Sequence, residues 1–292
     1  MATEHITFTD SADDDERVDA TLSGLARVGV QRISATQIGM YGRCQRQWAY
    51  RYVLGLKVPP DGGLLVGSGV HHAAEVGMIH KAETGENPAP EMAAEAASEY
   101  VHEQCATGEV RMDDTTPGDL ADKSVRLAVA WAEQAAPGVV PVEVEQEFTT
   151  DIAGVPVTGR MDVVTATTVV DWKTAGKSPN VDDHVASPQT EVYAFVSGRP
   201  IQYEFLVDLK SGVKHVSVPV AGDDADRARR MAHDTVSEVA AGMAMGVWPR
   251  NRRGWHCSKR FCGYYERCMS GRDDATLQAR AADARGAAGV MW

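Results

Sequence analysis

From Val142 onward the chain changes period: VEVEQEFTTDIAGVPVTGRMDVVTATTVVDWKTA alternates, is rich in Val and Thr, and is interrupted by turn signals at Ala153-Gly154 and Thr165-Ala166. Alternation of period two sends successive side chains to opposite faces, so this stretch predicts about three antiparallel strands. Helical spacing prevails on either side of it. SATQIGMYGRCQRQWAYRYVLGL opens with Ser34 as an N-cap and predicts a helix at about 35 to 53; DGGLLVGSG reads as a Gly-rich turn leading into a second helix through VHHAAEVGMIHKAE. Residues 84 to 136, rich in Ala and Glu and broken at Pro88, Pro90 and Pro117, predict a small helical insertion. A helix at about 186 to 197, strands near 201 to 209 and 213 to 220, and a helix at about 223 to 246 capped by Asp223 complete an α/β pattern.

The formal net charge of −12 argues against a nucleic-acid partner, because affinity there rests on Lys and Arg meeting phosphates. Its distribution reverses that argument. Residues 1 to 20 carry Glu4, Asp10, Asp13, Asp14, Asp15, Glu16 and Asp19 against Arg17, half of the excess, and residues 1 to 30 read as a disordered acidic tail. Two stretches are basic instead: 41 to 60, with Arg43, Arg46, Arg51 and Lys57, and 246 to 272, where Glu266 is outnumbered by cations until the chain reaches Arg272. The acidic start is unlike a secretory leader and no apolar run approaches a membrane span, so a cytoplasmic protein without a membrane partner is expected. Residues 273 to 292 read as a C-terminal tail.

Asp162 ends one predicted strand and Asp171 lies on the next, so adjacent antiparallel strands can bring both carboxylates to one ion. Lys173, two residues beyond Asp171, shares its face. Carboxylate oxygens suit Mg²⁺ or Mn²⁺, and such a cation activates water and neutralises phosphate charge in phosphodiester hydrolysis. An Asp-x-Lys triplet alone is weak, since about one arises by chance in a chain of this length. A second, Asp208-Leu209-Lys210, reads as a surface strand end. The bland reading of Asp162 and Asp171 is a pair of solvated carboxylates near a turn. His72 and His80 read as structural or solvated, Glu143, Glu145 and Glu147 as one solvated strand face, and Glu75 as a candidate support for His71.

GRMDVV followed by VVDWKT resembles the core of the PD-(D/E)XK nuclease superfamily, and VGSGVHHAAE with QTEVY resembles the further motifs of its RecB-like exonuclease branch. The elements run in order from Ser34 to Cys268, with Met161 where the superfamily name has its first P. The resemblance implies a restriction-endonuclease-like core, a mixed central sheet flanked by helices, within a nuclease domain at 31 to 272. It implies His71 as a metal ligand beside Asp162 and Asp171, catalytic roles for Asp162, Asp171 and Lys173, and Gln189 and Tyr193 as residues that position DNA or Lys173. The implied activity is exonucleolytic, 5′ to 3′ on single-stranded DNA ends, in recombination, phage DNA metabolism or CRISPR adaptation, with a helicase or a recombination or CRISPR protein as a possible partner. The chain has no Gly-x-x-x-x-Gly-Lys-Ser/Thr loop, so ATP-driven unwinding would come from another chain. The rival reading is a non-catalytic or incidental-nuclease DNA-binding scaffold.

Cys257, Cys262 and Cys268 cluster in HCSKRFCGYYERC, Cys44 stands far upstream, and Cys105 falls outside any pattern. One distant cysteine plus a C-terminal three is similar to the iron-sulfur staple of AddB-type and CRISPR-associated RecB-like nucleases. That similarity implies a [4Fe-4S] cluster on these four, in a module formed by 41 to 57 and 250 to 270. The interval between Cys257 and Cys262 is longer than the family's usual first spacing, which leaves cluster type open. Trp48, Tyr50, Trp255, Phe261, Tyr264 and Tyr265 are interleaved with the cations here, an arrangement suited either to stacking single-stranded bases or to packing around a cluster.

Overall fold

The computed structural model describes residues 12–286 apart from 113, 181–183, 185–186 and 221–224. The chain divides into two compact units: Met1–Lys57, Thr149–Thr158 and His233–Trp292 form the first, Val58–Phe148 and Gly159–Ala232 the second.

Strands β2 (Glu143–Ile152) and β3 (Val155–Val164) run through both units and pair with each other, and the turn between them falls at the expected Ala153-Gly154, where both residues have positive φ. In the second unit β3 continues antiparallel to β4 (Val169–Ala175), β4 runs parallel to β5 (Ile201–Leu209), and β5 is antiparallel to β6 (Gly212–Val220). The sheet is therefore mixed. The central strand β4 is buried at Val169, Val170, Asp171 and Trp172 in succession, the pattern of a strand covered on both faces. Strand β6 lies at the end of the strand order, and its place there accommodates Pro219, which has no N–H to give a ladder.

One face of this sheet carries Val163, Val170, Trp172 and Leu206 into a core shared with helices α4 (Gly62–Thr84), α5 (Pro90–Ala106) and α6 (Pro117–Ala130). Trp131, in the π turn after α6, meets Trp172 edge to face at 5.6 Å. The predicted insertion is thus the layer that covers the sheet. DGGLLVGSG is not a turn: Asp61 caps Leu64 N–H, and Gly62 onward is the start of α4. Its glycines serve close packing, since a Cβ on Gly69 would lie 2.5 Å from Ser124 Oγ and one on Gly67 3.1 Å from Thr174 Oγ1. Further along α4 a Cβ on Gly77 would fall 2.6 Å from Trp131 Cη2 and 2.9 Å from Pro88 Cβ. Gly77→Ala gains about 1 kcal/mol of helix propensity but forces the buried indole and a proline to shift, costing roughly 1–3 kcal/mol. A lower urea midpoint at unchanged slope is the expected result.

The first unit holds helix α1 (Ala12–Arg27), strand β1 (Ile33–Ser34), helices α2 (Ala35–Arg43) and α3 (Gln45–Trp48), and, after helix α8 (Ala225–Ala244) enters it, α9 (Tyr265–Ser270) and α10 (Asp274–Gly286); helix α7 (Pro188–Ser197) belongs to the second unit. Strand β1 runs parallel to β3 through Ile33↔Val157 and Ser34↔Thr158. Each expected tail contains a helix. Residues 12 to 27 are helical and lead into buried Leu25, Val28 and Val30, while α10 buries Leu277, Ala281 and Ala284, because the sparse apolar residues of each segment find partners. Arg27 donates to the Asp283 carbonyl at 3.3 Å. Residues 1 to 11 and the predicted cap Asp223 lie outside the described residues. The helix expected over 35 to 53 breaks at Cys44, whose extended backbone separates α2 from α3, and ends in a π turn at Ala49–Val53.

Candidate active site

Strands β3 and β4 pair at Val163↔Val170 and Val164↔Val169. One step beyond, Asp162 and Asp171 face each other across the two strands, and Asp162 Oδ2 accepts the N–H of Trp172 at 2.9 Å. Alternation along β4 places Asp171 and Lys173 together on the face opposite Trp172. Helix α7 (Pro188–Ser197), capped by Ser187, then brings Gln189 to both of them: its Nε2 donates to Asp171 Oδ1 at 2.6 Å and its Oε1 accepts from Lys173 Nζ at 3.2 Å. The ammonium of Lys173 is ion-paired with Asp171 Oδ2 and lies 5.6 Å from the centre of the Tyr203 ring. From α4, His71 Nδ1 approaches Asp162 Oδ2 at 3.3 Å. All of these side chains belong to the second unit.

Burial sets the electrostatics. Asp171 is 1% exposed, and burial pushes its carboxyl up to about 6, opposed by Lys173 and reinforced by Asp162. Burial also acts upward on Asp162, but the hydrogen bond and charge of His71, with Lys173 behind them, outweigh it and hold this carboxyl below its usual range. On His71 burial works downward and is overcome by Asp162, so the imidazole sits above its ordinary value; Lys173 is likewise raised, by Asp171 and Asp162 against burial. Asp171 Oδ2, in contact with the ammonium, is buried without an aligned hydrogen bond. A buried carboxylate oxygen with spare acceptor capacity, beside a second carboxylate and an imidazole, is a donor set suited to a small divalent cation. As placed, these side chains neutralise one another: among the described residues no three His, Cys, Asp or Glu converge to hold a metal ion.

The other expectations divide. Tyr193 turns its hydroxyl to the Arg160 carbonyl at 2.5 Å and packs edge to face on Phe148 at 5.9 Å, so it braces β3. Glu75 lies 3.7 Å from His72 and is not a support for His71, and His72 packs on Tyr100. Asp208 of the second triplet is held by Arg126 and Lys123, as suits an ordinary strand end. Glu143 and Glu147 are exposed, but Glu145 is not, because its φ of 52° breaks the alternation of β2. Burial first, then Asp162, pushes Glu145 up to about 7, although Arg160 reaches it at 2.5 Å. No spacing in the sequence signals that kink.

In the first unit Cys44, Cys257, Cys262 and Cys268 line one pocket with Tyr50, Arg250, His256 and Tyr264. Cys105 is absent from it. Burial pushes the Cys262 thiol up; a backbone hydrogen bond with Tyr264 opposes this, and Cys44, Cys268 and Cys257 add to it. Arg250 Nε donates to Cys268 Sγ at 3.3 Å while its guanidinium holds Asp274. Burial, then Cys268, pushes the Tyr50 phenol up to about 12.

A presumed exonuclease from Eubacterium rectale, solved at 2.19 Å, shares the fold: the TM-score is 0.52 at 10% identity, over 86% of this chain and 93% of that one. The structure of SSO0001, with a TM-score of 0.33 and 14% identity over 79% of this chain and 96% of that one, is too distant to bear on the fold. No curated protein matches the chain. No helix among the described residues is long and apolar enough to cross a membrane. The signature of the PD-(D/E)XK nuclease superfamily matches residues 32–269, which take in both aspartates, Lys173, His71 and all four pocket cysteines, and the chain belongs to that superfamily.

Proposed function

We propose that the protein is a divalent-metal-dependent deoxyribonuclease that shortens DNA from single-stranded ends. The observation that carries this reading is the buried constellation of Asp171, Lys173 and Gln189 beside the Asp162–His71 pair on one face of the sheet. His71, Asp162 and Asp171 would hold Mg²⁺ or Mn²⁺, with the main-chain carbonyl after Asp171 as an added ligand. A cation bound there supplies charge neutralisation at the phosphate and activation of water near neutral pH. Lys173, whose charged form its two carboxylates favour, orients or deprotonates water and stabilises charge growing on the phosphate. Gln189 fixes the Asp171–Lys173 distance, and Tyr193 fixes the strand that carries Asp162.

The direction, 5′ to 3′, and a role in recombination, phage DNA metabolism or CRISPR adaptation beside a helicase or integrase rest on the resemblance to RecB-like exonucleases alone. The same resemblance suggests a [4Fe-4S] cluster on Cys44, Cys257, Cys262 and Cys268. Their shared pocket is what supports it, while among the described residues no three His, Cys, Asp or Glu converge to hold a metal ion. The nuclease reading is tested with linear single-stranded, linear duplex and circular single-stranded DNA in Mn²⁺. Linear single strands should shorten progressively and circles persist, and Asp162→Asn should stop the reaction. Equal degradation by wild type and variant, or none by wild type, would sink the reading.

A further inference from the structure

The aromatic residues interleaved with the cysteines separate into two groups. Trp48, Tyr50, Trp248 and Tyr264 are buried in the first unit, with Tyr50 and Tyr264 stacked at 5.5 Å. Trp255 and Phe261 are 75% and 51% exposed, yet they meet edge to face at 5.0 Å and 85°. Around them Arg252, Arg253, Lys259 and Arg260 are exposed, and the Arg260 guanidinium lies 5.2 Å from the centre of the Phe261 ring. Lys259 is paired with Glu266, whereas Arg252 and Arg253 have no side-chain ion pair among the described residues. In a chain of net charge −12, this loop is a local reversal of sign.

The geometry points to this loop as a platform for single-stranded nucleic acid, with Trp255 and Phe261 taking unstacked bases and Arg252 and Arg253 taking the phosphates. The assignment rests on the nuclease reading for its choice of polyanion and adds to it the residues that create the preference for single strands. Two large rings at the surface cost hydration free energy unless an apolar partner covers them. The surrounding cations select a partner with anions spaced along it. Bases of a single strand offer both features, whereas a duplex keeps its base faces stacked inside and offers the rings nothing. The rings flank Cys257 and Cys262 in sequence, so the same pocket that gathers the cysteines anchors the two ends of the platform.

The test measures binding of the full-length protein to fluorescent oligothymidine and to a blunt duplex, in EDTA so that nothing is cleaved. Trp255→Ala with Phe261→Ala should weaken oligothymidine binding roughly 10- to 100-fold, while Trp255→Tyr keeps most of the affinity. Duplex binding should change less than about twofold, and the melting curve should not move, because neither side chain is part of the core. Arg252→Gln with Arg253→Gln should lower the slope of log K against log salt by about 1.4, at about 0.7 per phosphate contact on a single strand. Unchanged oligothymidine affinity in the double aromatic variant, while wild type still cleaves in Mn²⁺, overturns the platform and leaves the nuclease reading intact. Loss of binding to vesicles of anionic phospholipid without loss of DNA binding also overturns it. A wild-type protein that neither binds nor cleaves DNA removes the nuclease reading itself.

Discussion

Lys173→Ala is expected to lower the single-turnover rate of DNA cleavage roughly 10²- to 10⁴-fold, the range associated with loss of a positioned proton-transfer or donor group. The loss has two separable parts. The first is the missing donor at the phosphate. The second is indirect: Lys173 lies against Asp171 and also acts on Asp162, so its removal leaves two buried carboxyls facing each other without that charge. Asp171, already pushed up to about 6, then rises further and is protonated over more of the neutral range. Cleavage by the variant should therefore recover in part as pH is raised from 7 to 9, and its Mn²⁺ requirement should shift to higher concentration. Single-turnover rates across a pH and Mn²⁺ grid measure both parts. Equal rates for the two proteins would remove Lys173 from the mechanism.

Cys262→Ser is expected to be the most damaging substitution for stability. Purified without oxygen, the wild type should be brown and contain iron and sulfide, and the variant should be colourless. The four cysteines come from both ends of the first unit, so a cluster joining them closes a loop that spans most of the chain. A cross-link across a loop longer than about 100 residues is worth roughly 5 kcal/mol in the chain-entropy account. Losing one ligand forfeits much of that. Denaturant unfolding followed by near-ultraviolet circular dichroism measures the cost, and iron analysis gives the cause. A colourless, zinc-loaded wild type that remains fully active would contradict the cluster.

Strands and turns were legible because period two is a strong local signal: β2, β3 and β4 lie where the alternation and the turn residues put them. Asp162, Asp171, Lys173 and Gln189 were legible as a set through motif order, and the structure brings all four within hydrogen-bonding or Coulombic reach. What stayed hidden depends on contacts distant in sequence. DGGLLVGSG has the composition of a turn, yet it is helical because α6 and β4 press against its glycines. The acidic charge of residues 12 to 19 masked a helix whose apolar end is buried in the first unit. Glu145 looked like its neighbours Glu143 and Glu147, and only its positive φ turns it inward. The aromatic residues around the cysteines could be read equally as packing or as a binding surface; burial assigns Trp48, Tyr50 and Tyr264 to packing and leaves Trp255 and Phe261 outside.

The division of the chain also fixes an order of events during synthesis. Every side chain of the Asp162–Asp171–Lys173 constellation lies between Val58 and Ala232, so the second unit has left the ribosome complete while the last segment of the first is still being made. Helices α1 to α3 emerge before the second unit and must wait for His233 onward before their core can form. A nascent chain consequently carries Asp162, Asp171 and Lys173 before Cys257, Cys262 and Cys268 are made. The cysteine pocket is thus completed later in synthesis than the stretch that carries the aspartates and Lys173.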